Sequence, residues 1–195
     1  MRSVGADATS LDDLRLLQRV VGGDVEAFDR LYRRHHGRLV GLVTRLTRRP
    51  DLAEDVTNEA MLVLWRRADS FRGAARVSTW LCGIAYRLAL KRLGQAERHT
   101  GSVDLDDVDL VEPTSPETLA GAAQLGRHLR AALDDLAPAQ RAVVELTFFH
   151  GCSQEEIARL LDCPEGTVKS RMFHARQRLR HILEDRLDGD MENLS

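Results

Sequence analysis

No apolar stretch in this chain approaches the roughly 18 residues that a membrane-spanning helix needs. The opening residues, MRSVGADATSLDD, hold no apolar signal core, so a cytoplasmic protein without membrane insertion is expected. Nowhere do apolar and polar residues alternate with the period of a strand, so no sheet is expected. Cysteine is scarce: Cys82, Cys152 and Cys163 form no CxxC pair and no His/Cys cluster with zinc spacing. Neither a disulfide framework nor a metal site is therefore expected. An odd, scattered set fits reduced thiols, and buried inert thiols are a simpler reading than redox sensing through Cys152 and Cys163. No Gly-rich phosphate loop, nucleophile–base pair or metal constellation stands out, which argues against an enzyme, a cofactor or a small-molecule substrate. Aromatics are few, at 5%. The formal net charge is only -2, so any nucleic-acid-binding surface must come from segregated charge.

What remains is helical periodicity in 195 residues, with 43% hydrophobic and 30% charged residues, enough for one large or two small soluble domains. Ser10 to Asp13 looks like a helix start, with Leu11, Leu14, Leu17 and Val21 on one face. Gly22-Gly23 ends that helix, and Asp24 is placed to cap the next. The second helix offers Phe28, Leu31, Leu39, Leu42, Val43 and Leu46 to a core and exposes Arg33, Arg34, Arg38 and Arg45. Its adjacent His35 and His36 point apart on a helix and are expected at the surface.

Pro50-Asp51 opens a third helix, with Asp51, Glu54 and Asp55 suited to the positive end of its dipole. Val56, Ala60, Val63 and Leu64 mark its apolar side, and Asn58, Glu59, Leu62 and Trp65 a partly exposed one. An exposed Leu and Trp beside carboxylates suggest a partner surface, although Trp65 reads equally well as core. A polar, basic loop, Asp69 to Arg76, leads into a fourth helix with Leu81, Ile84, Ala85, Leu88 and Leu93 inward and Arg87, Lys91 and Arg92 outward. Basic residues interleaved with Phe71, Trp80 and Tyr86 suit a strand of unpaired bases, while Trp80 taken alone reads better as core.

From His99 to Gly126 there is no Lys or Arg, and Asp104, Asp106, Asp107, Asp109, Glu112 and Glu117 accumulate with Pro113 and Pro116. This composition describes a linker. Helical spacing resumes with Leu125, Leu129 and Leu133, and Pro138 starts a further helix with Val143, Val144, Leu146 and Phe148 as core. The expected organisation is all-α: two small helical domains, 10–95 and 118–183, an acidic linker at 96–117, and a frayed polar tail at 184–195.

The densest pattern lies at Ser153 to Ile182. Ser153 and Glu156 form a capping box before Ile157, Ala158, Leu160 and Leu161. Cys163-Pro164 breaks this short helix, and Pro164 suits the start of another. Val168, Met172, Ala175, Leu179 and Ile182 give the second helix a buried stripe, while Lys169, Phe173, Arg176 and Arg180 fall on one outward line. A capped helix, a Pro turn and a basic second helix are what the DNA major groove accepts. A stand-alone helix-turn-helix regulator would use the same element, usually as a dimer on a palindrome, but would leave the first domain's patterns without a purpose.

Three stretches resemble bacterial sigma factors of the sigma-70 family, in the small two-domain extracytoplasmic-function (ECF, group 4) subfamily. Residues 51–67, DLAEDVTNEAMLVLWRR, resemble sigma region 2.2. Residues 71–93, FRGAARVSTWLCGIAYRLALKRL, resemble regions 2.3 and 2.4. Residues 133–180 resemble region 4, above all LAPAQR, EEIA and DCPEGTVKSR. The resemblance implies a promoter-specificity subunit that binds core RNA polymerase and directs transcription initiation. It implies docking on the β′ clamp helices through Asp55, Asn58, Glu59, Leu62 and Trp65, with a further contact to the β flap region. It implies −10 recognition and melting through Phe71, Arg72, Arg76, Arg87, Lys91 and Arg92. It implies −35 recognition through Lys169, Ser170, Arg171, Phe173, His174 and Arg176. An anti-sigma factor and association with the nucleoid within the holoenzyme follow from the same resemblance. Where the family often has Arg-Asn after the Ile-Ala of region 2.4, this chain has Tyr86-Arg87.

Overall fold

A computed structural model describes residues 4–99, 126, 129 and 131–192, and among these every regular element is helical. The chain divides into two compact units, Met1–Asp106 and Asp107–Ser195.

The first unit holds four α-helices: α1 (Val4–Val21), α2 (Val25–Thr47), α3 (Pro50–Arg67) and α4 (Val77–His99). Their boundaries follow local chemistry. Gly23 adopts φ +82, a conformation that side chains resist, and ends the α1–α2 turn. Asp24 then caps α2 by accepting the Ala27 N–H at 3.0 Å, while Arg19 reaches back to it at 2.8 Å. Pro50 occupies the first turn of α3, where its missing N–H costs nothing. A short 3-10 turn, Ala68–Ser70, follows α3.

The core is aliphatic. Leu31, Leu39, Leu42 and Val43 of α2 meet Val56, Ala60, Met61 and Leu64 of α3 and Leu81, Ile84 and Ala85 of α4, all buried. Helix α1 closes this core with a different face from the one expected. Leu11 and Val21 are 59% and 55% exposed, and the buried line is Asp13, Leu16, Leu17 and Val20. The cause is a polar network that makes Asp13 a core residue. Asp13 accepts from Arg34, and its Oδ2 lies 2.9 Å from His35 Nε2. Arg34 also donates to Asp12 at 2.6 Å. His35 is thus buried rather than at the surface, and His36 is half-buried with Nε2 3.1 Å from Glu54. Helix α1 also begins before Ser10, since residues 4–9 contain no helix breaker beyond a single Gly5.

In the second unit, residues 131–134 are helical and lead through a turn to α5 (Pro138–Phe148), α6 (Gln154–Leu160) and α7 (Glu165–Glu192). Pro138 again takes a first-turn position. Arg141, buried, donates to three main-chain oxygens at the end of the preceding helix: Leu133 (3.0 Å), Asp134 (2.8 Å) and Leu136 (3.0 Å). Ala132, Leu133, Leu136, Val143, Val144, Leu146, Ile157, Val168 and Ala175 fill the core. Two expected core residues lie outside it: Leu129 is 41% exposed and Phe148 62%. Phe148 is the last residue of α5. The expected frayed tail is helical to Glu192, and no Pro interrupts it. Residues 100–117 of the expected linker, and the expected helix start at 118 with Leu125, lie outside the described residues.

Candidate nucleic-acid interface

The helix-turn-helix forms as the sequence implies. Ser153 Oγ accepts the Glu156 N–H at 3.1 Å, and Glu156 Oε2 accepts the Ser153 N–H at 2.7 Å, so both halves of the capping box are made. After α6 the chain turns through Asp162, whose φ of 50 is left-handed, a region Asp tolerates better than most residues. The Cys163 N–H bonds Ala158 O at 3.0 Å and stitches the turn to α6. Pro164 sits just outside α7, and its carbonyl accepts from Thr167 and Val168.

Helix α7 buries Val168, Met172, Ala175 and Ile182, with Leu179 half-buried. Lys169, Ser170, Phe173, His174 and Arg176 project outward. Phe173 is 58% exposed among cations, so it serves no core, and its ring lies edge-on to His174 at 5.5 Å. Ser170 Oγ donates to Thr167 O at 3.1 Å. Arg171 stands apart. It is half-buried, and its Nη1 lies 3.7 Å from Cys163 Sγ in the turn. Of the thiols, Cys82 and Cys152 are buried and Cys163 is half-buried.

In the first unit, α4 carries a second basic line. Arg76, just before α4, and Trp80, Arg87 and Lys91 within it follow i, i+4, i+11 and i+15, one helical stripe. Arg72, Arg87 and Lys91 are exposed, and Arg76 is half-buried. Phe71 and Trp80 are both half-buried, with ring centroids 5.3 Å apart, so each aromatic is partly committed to the other. Gly73 has φ +70, which gives the loop between them a residue free to turn. Arg92, expected with this set, instead bonds Glu59 across to α3 at 2.6 Å.

The third expected set lies along α3. Asp55, Asn58 and Leu62 are exposed, Leu62 at 49%, while Glu59 and Trp65 are half-buried. Trp65 packs edge-on against Phe28 at 5.2 Å, so it is part of the α2–α3 packing and part of the surface. Asn58 Oδ1 accepts from Tyr32 Oη at 2.8 Å, and Tyr32 stacks on His36 at 4.7 Å. Phe28, Tyr32 and His36 therefore form an aromatic row on α2 beside the α3 set. Their i, i+4, i+8 spacing is the mark this row leaves in the sequence. Among the described residues, no group of His, Cys, Asp and Glu could hold a metal ion, and no helix is long and apolar enough to cross a membrane.

A capped helix-turn-helix with an aromatic and cations on its outer face, together with a four-helix unit carrying its own basic line, defines a DNA-binding transcription factor. Comparison with known proteins makes this specific. Residues 31–99 match the family profile of Sigma-70 region 2, and residues 127–179 that of Sigma-70, region 4. The ECF RNA polymerase sigma-E factor of Escherichia coli (strain K12) is 35% identical over 176 residues, spanning 86% of this chain and 92% of that relative. The protein of the same description from Haemophilus influenzae is 32% identical over 186 residues, spanning 91% and 98%. The sigma factor RpoE from Bartonella quintana, solved with the anti-sigma factor NepR, superposes with a TM-score of 0.65 at 25% identity, covering 80% of this chain and 96% of that one. The chain belongs to the ECF sigma factors of the sigma-70 family. It acts in promoter-specific transcription initiation, and its family comprises initiation factors rather than enzymes.

Proposed function

We propose that the chain docks on core RNA polymerase through the α3 face, reads the −10 element with the α4 line and its preceding loop, and reads the −35 element with α7. The docking residues are Asp55, Asn58, Glu59, Leu62 and Trp65, and the clamp helices of β′ are the surface they suit. Phe71, Arg72, Arg76, Arg87 and Lys91 face the melted −10 strand. Lys169, Ser170, Arg171, Phe173, His174 and Arg176 face the −35 major groove, and the second unit also approaches the β flap region. The boundaries that go with these tasks are 10–95 and 118–183, with 96–117 as tether, whose first residues, 96–99, continue α4, and 184–195 as tail, which continues α7 to Glu192.

The observation that carries this reading is α7 itself. One face is buried in Val168, Met172 and Ala175, and the opposite face puts Phe173 58% into solvent between Lys169 and Arg176. Such a face gains by meeting a groove that offers phosphates and base edges. The mechanism involves no catalytic step by the chain. Phosphate contacts set register, base-edge contacts select sequence, and captured unpaired bases shift the closed–open equilibrium. The protein works in the cytoplasm, and an anti-sigma factor of the kind seen on the Bartonella quintana relative is its natural inhibitor.

The test is transcription in vitro with bacterial core polymerase on promoters randomised at both elements. Initiation that depends on this protein, with two spaced motifs enriched, is the expected result. A shift of duplex DNA by the protein alone, with no initiation, would count against it.

A further inference from the structure

Three side chains of α2 meet three of α3 in turn. Phe28 lies edge-on to Trp65 at 5.2 Å, Tyr32 Oη donates to Asn58 Oδ1 at 2.8 Å, and His36 Nε2 lies 3.1 Å from Glu54. Tyr32 stands in the middle. Its ring stacks on His36 at 4.7 Å and tilts against Phe28 at 6.2 Å, so the hydroxyl has little freedom to leave Asn58. The 2.8 Å separation is that of an ordinary O–H···O bond. Asn58 itself is exposed, and Asp55, Asn58, Leu62 and Trp65 follow i, i+3, i+7 and i+10 along the proposed docking face. Within that stripe the Asp55 carboxylate can only accept, and Leu62 neither donates nor accepts. An amide can do both, so the way Asn58 is turned decides what the face offers at its centre.

We propose that Tyr32 is a positioning residue of the docking face: its hydroxyl occupies Asn58 Oδ1, which turns the Nδ2 N–H donors outward, and core polymerase meets them with a hydrogen-bond acceptor. This rests on the α3 docking face assigned above and adds to it a residue of α2. An amide carries its acceptor and its donors on opposite arms. With Oδ1 engaged by the phenol, the arm left to a partner donates. The acceptor opposite it is a carboxylate or a main-chain carbonyl, whereas Asp55, one turn back, suits a cation or another donor. Without the hydroxyl the amide turns freely, and only the fraction with Nδ2 outward remains competent. Two orientations of equal weight would halve the affinity, and loss of the fixed rotamer adds to that, which sets the contribution of Tyr32 at about 2- to 5-fold.

The test is fluorescence titration of the full chain with core polymerase. Tyr32→Phe keeps the stacked ring and deletes the hydroxyl, and is expected to bind about 2- to 5-fold more weakly than the parent. Asn58→Asp keeps an acceptor for Tyr32 but replaces the outward donors with an anion. It is expected to bind at least as weakly as Asn58→Ala, about 3- to 10-fold below the parent. In the Asn58→Ala background, Tyr32→Phe is expected to change nothing further. A Tyr32→Phe loss that persists in that background, or no loss in either, would overturn the positioning. Asn58→Asp binding as tightly as the parent would overturn the outward donor. Because Asn58→Asp retains the Tyr32 bond, its loss of affinity at an unchanged melting temperature is one that a merely structural contact would not produce. Leu62→Asp checks the underlying face separately. Loss of association there, with a flat Tyr32 series, removes the positioning and keeps the face; no loss removes the face itself.

Discussion

Asp13 Oδ2 lies 2.9 Å from His35 Nε2, and both residues are buried, at 3% and 5% exposure. The half-buried Arg34 completes the cluster from the solvent side and is shared with Asp12. Removing one partner of a buried pair leaves the other desolvated without compensation. Asp13→Ala is therefore expected to cost about 3 kcal/mol in urea unfolding. Asp29→Ala breaks the exposed i,i+4 pair with Arg33 and should cost about 0.5 kcal/mol or less. Equal losses would show that α1 is not held by the buried cluster.

Leu62 and Trp65 should separate docking from folding. Leu62 is 49% exposed, so Leu62→Asp is expected to leave the melting temperature nearly unchanged while weakening association with core polymerase. Trp65 packs against Phe28, so Trp65→Ala should lose about 1–3 kcal/mol of stability as well as affinity. Fluorescence titration with core polymerase, alongside thermal melts, reads both. Unchanged association of Leu62→Asp would move the docking face off α3.

On α7 the two cations nearest the turn should behave differently. Arg171→Ala is expected to reduce −35-dependent transcription by about 1–3 kcal/mol, with little effect on a promoter whose −35 element is scrambled. Lys169→Ala should weaken all sequences evenly and lower the salt slope of binding by about 1. An even loss for Arg171→Ala would assign that residue to the turn it contacts through Cys163 rather than to base reading.

Asp51 offers a test of local electrostatics. Arg49 donates to it through Nε at 2.9 Å and Nη2 at 2.7 Å, and this hydrogen bonding, above all, holds the Asp51 carboxyl below its ordinary value. A carboxyl depressed in the folded state adds stability above the unfolded value and loses it as pH falls through the folded one. The site is exposed, so the effect on stability is about a few tenths of a kcal/mol. Titration followed by NMR is the sharper readout: in Arg49→Gln, Asp51 should move up toward 3.8. A titration that does not move would mean the pair is absent in solution.

Much of the fold was legible in the sequence because its signals were local. The Ser153–Glu156 box, the proline starts at Pro50 and Pro138, the Asp24 cap and the Val168–Met172–Ala175 stripe each depend on neighbours a few residues away. The failures depended on distant partners. Leu11 and Val21 have the spacing of a core face, but Asp13 holds the inward position because Arg34 and His35 lie more than 20 residues on. Phe148 and Leu129 have core chemistry, yet among the described residues they stay 62% and 41% exposed. Arg92 reads as one more cation on a basic helix until Glu59 is seen opposite it. Exposure of Leu62 and Phe173 agrees with the faces the sequence singled out, whereas the tie between Arg171 and Cys163 was invisible at a separation of eight residues across a helix start.

The three carbonyls that Arg141 gathers belong to the main chain, which every residue type possesses. The bend before α5 is thus braced by one side chain. Asp134 takes part through its main-chain oxygen, so this contact constrains the residue type at 141 and not at 134. A survey of tolerated substitutions should find arginine alone at 141, because no other side chain reaches three main-chain oxygens at once.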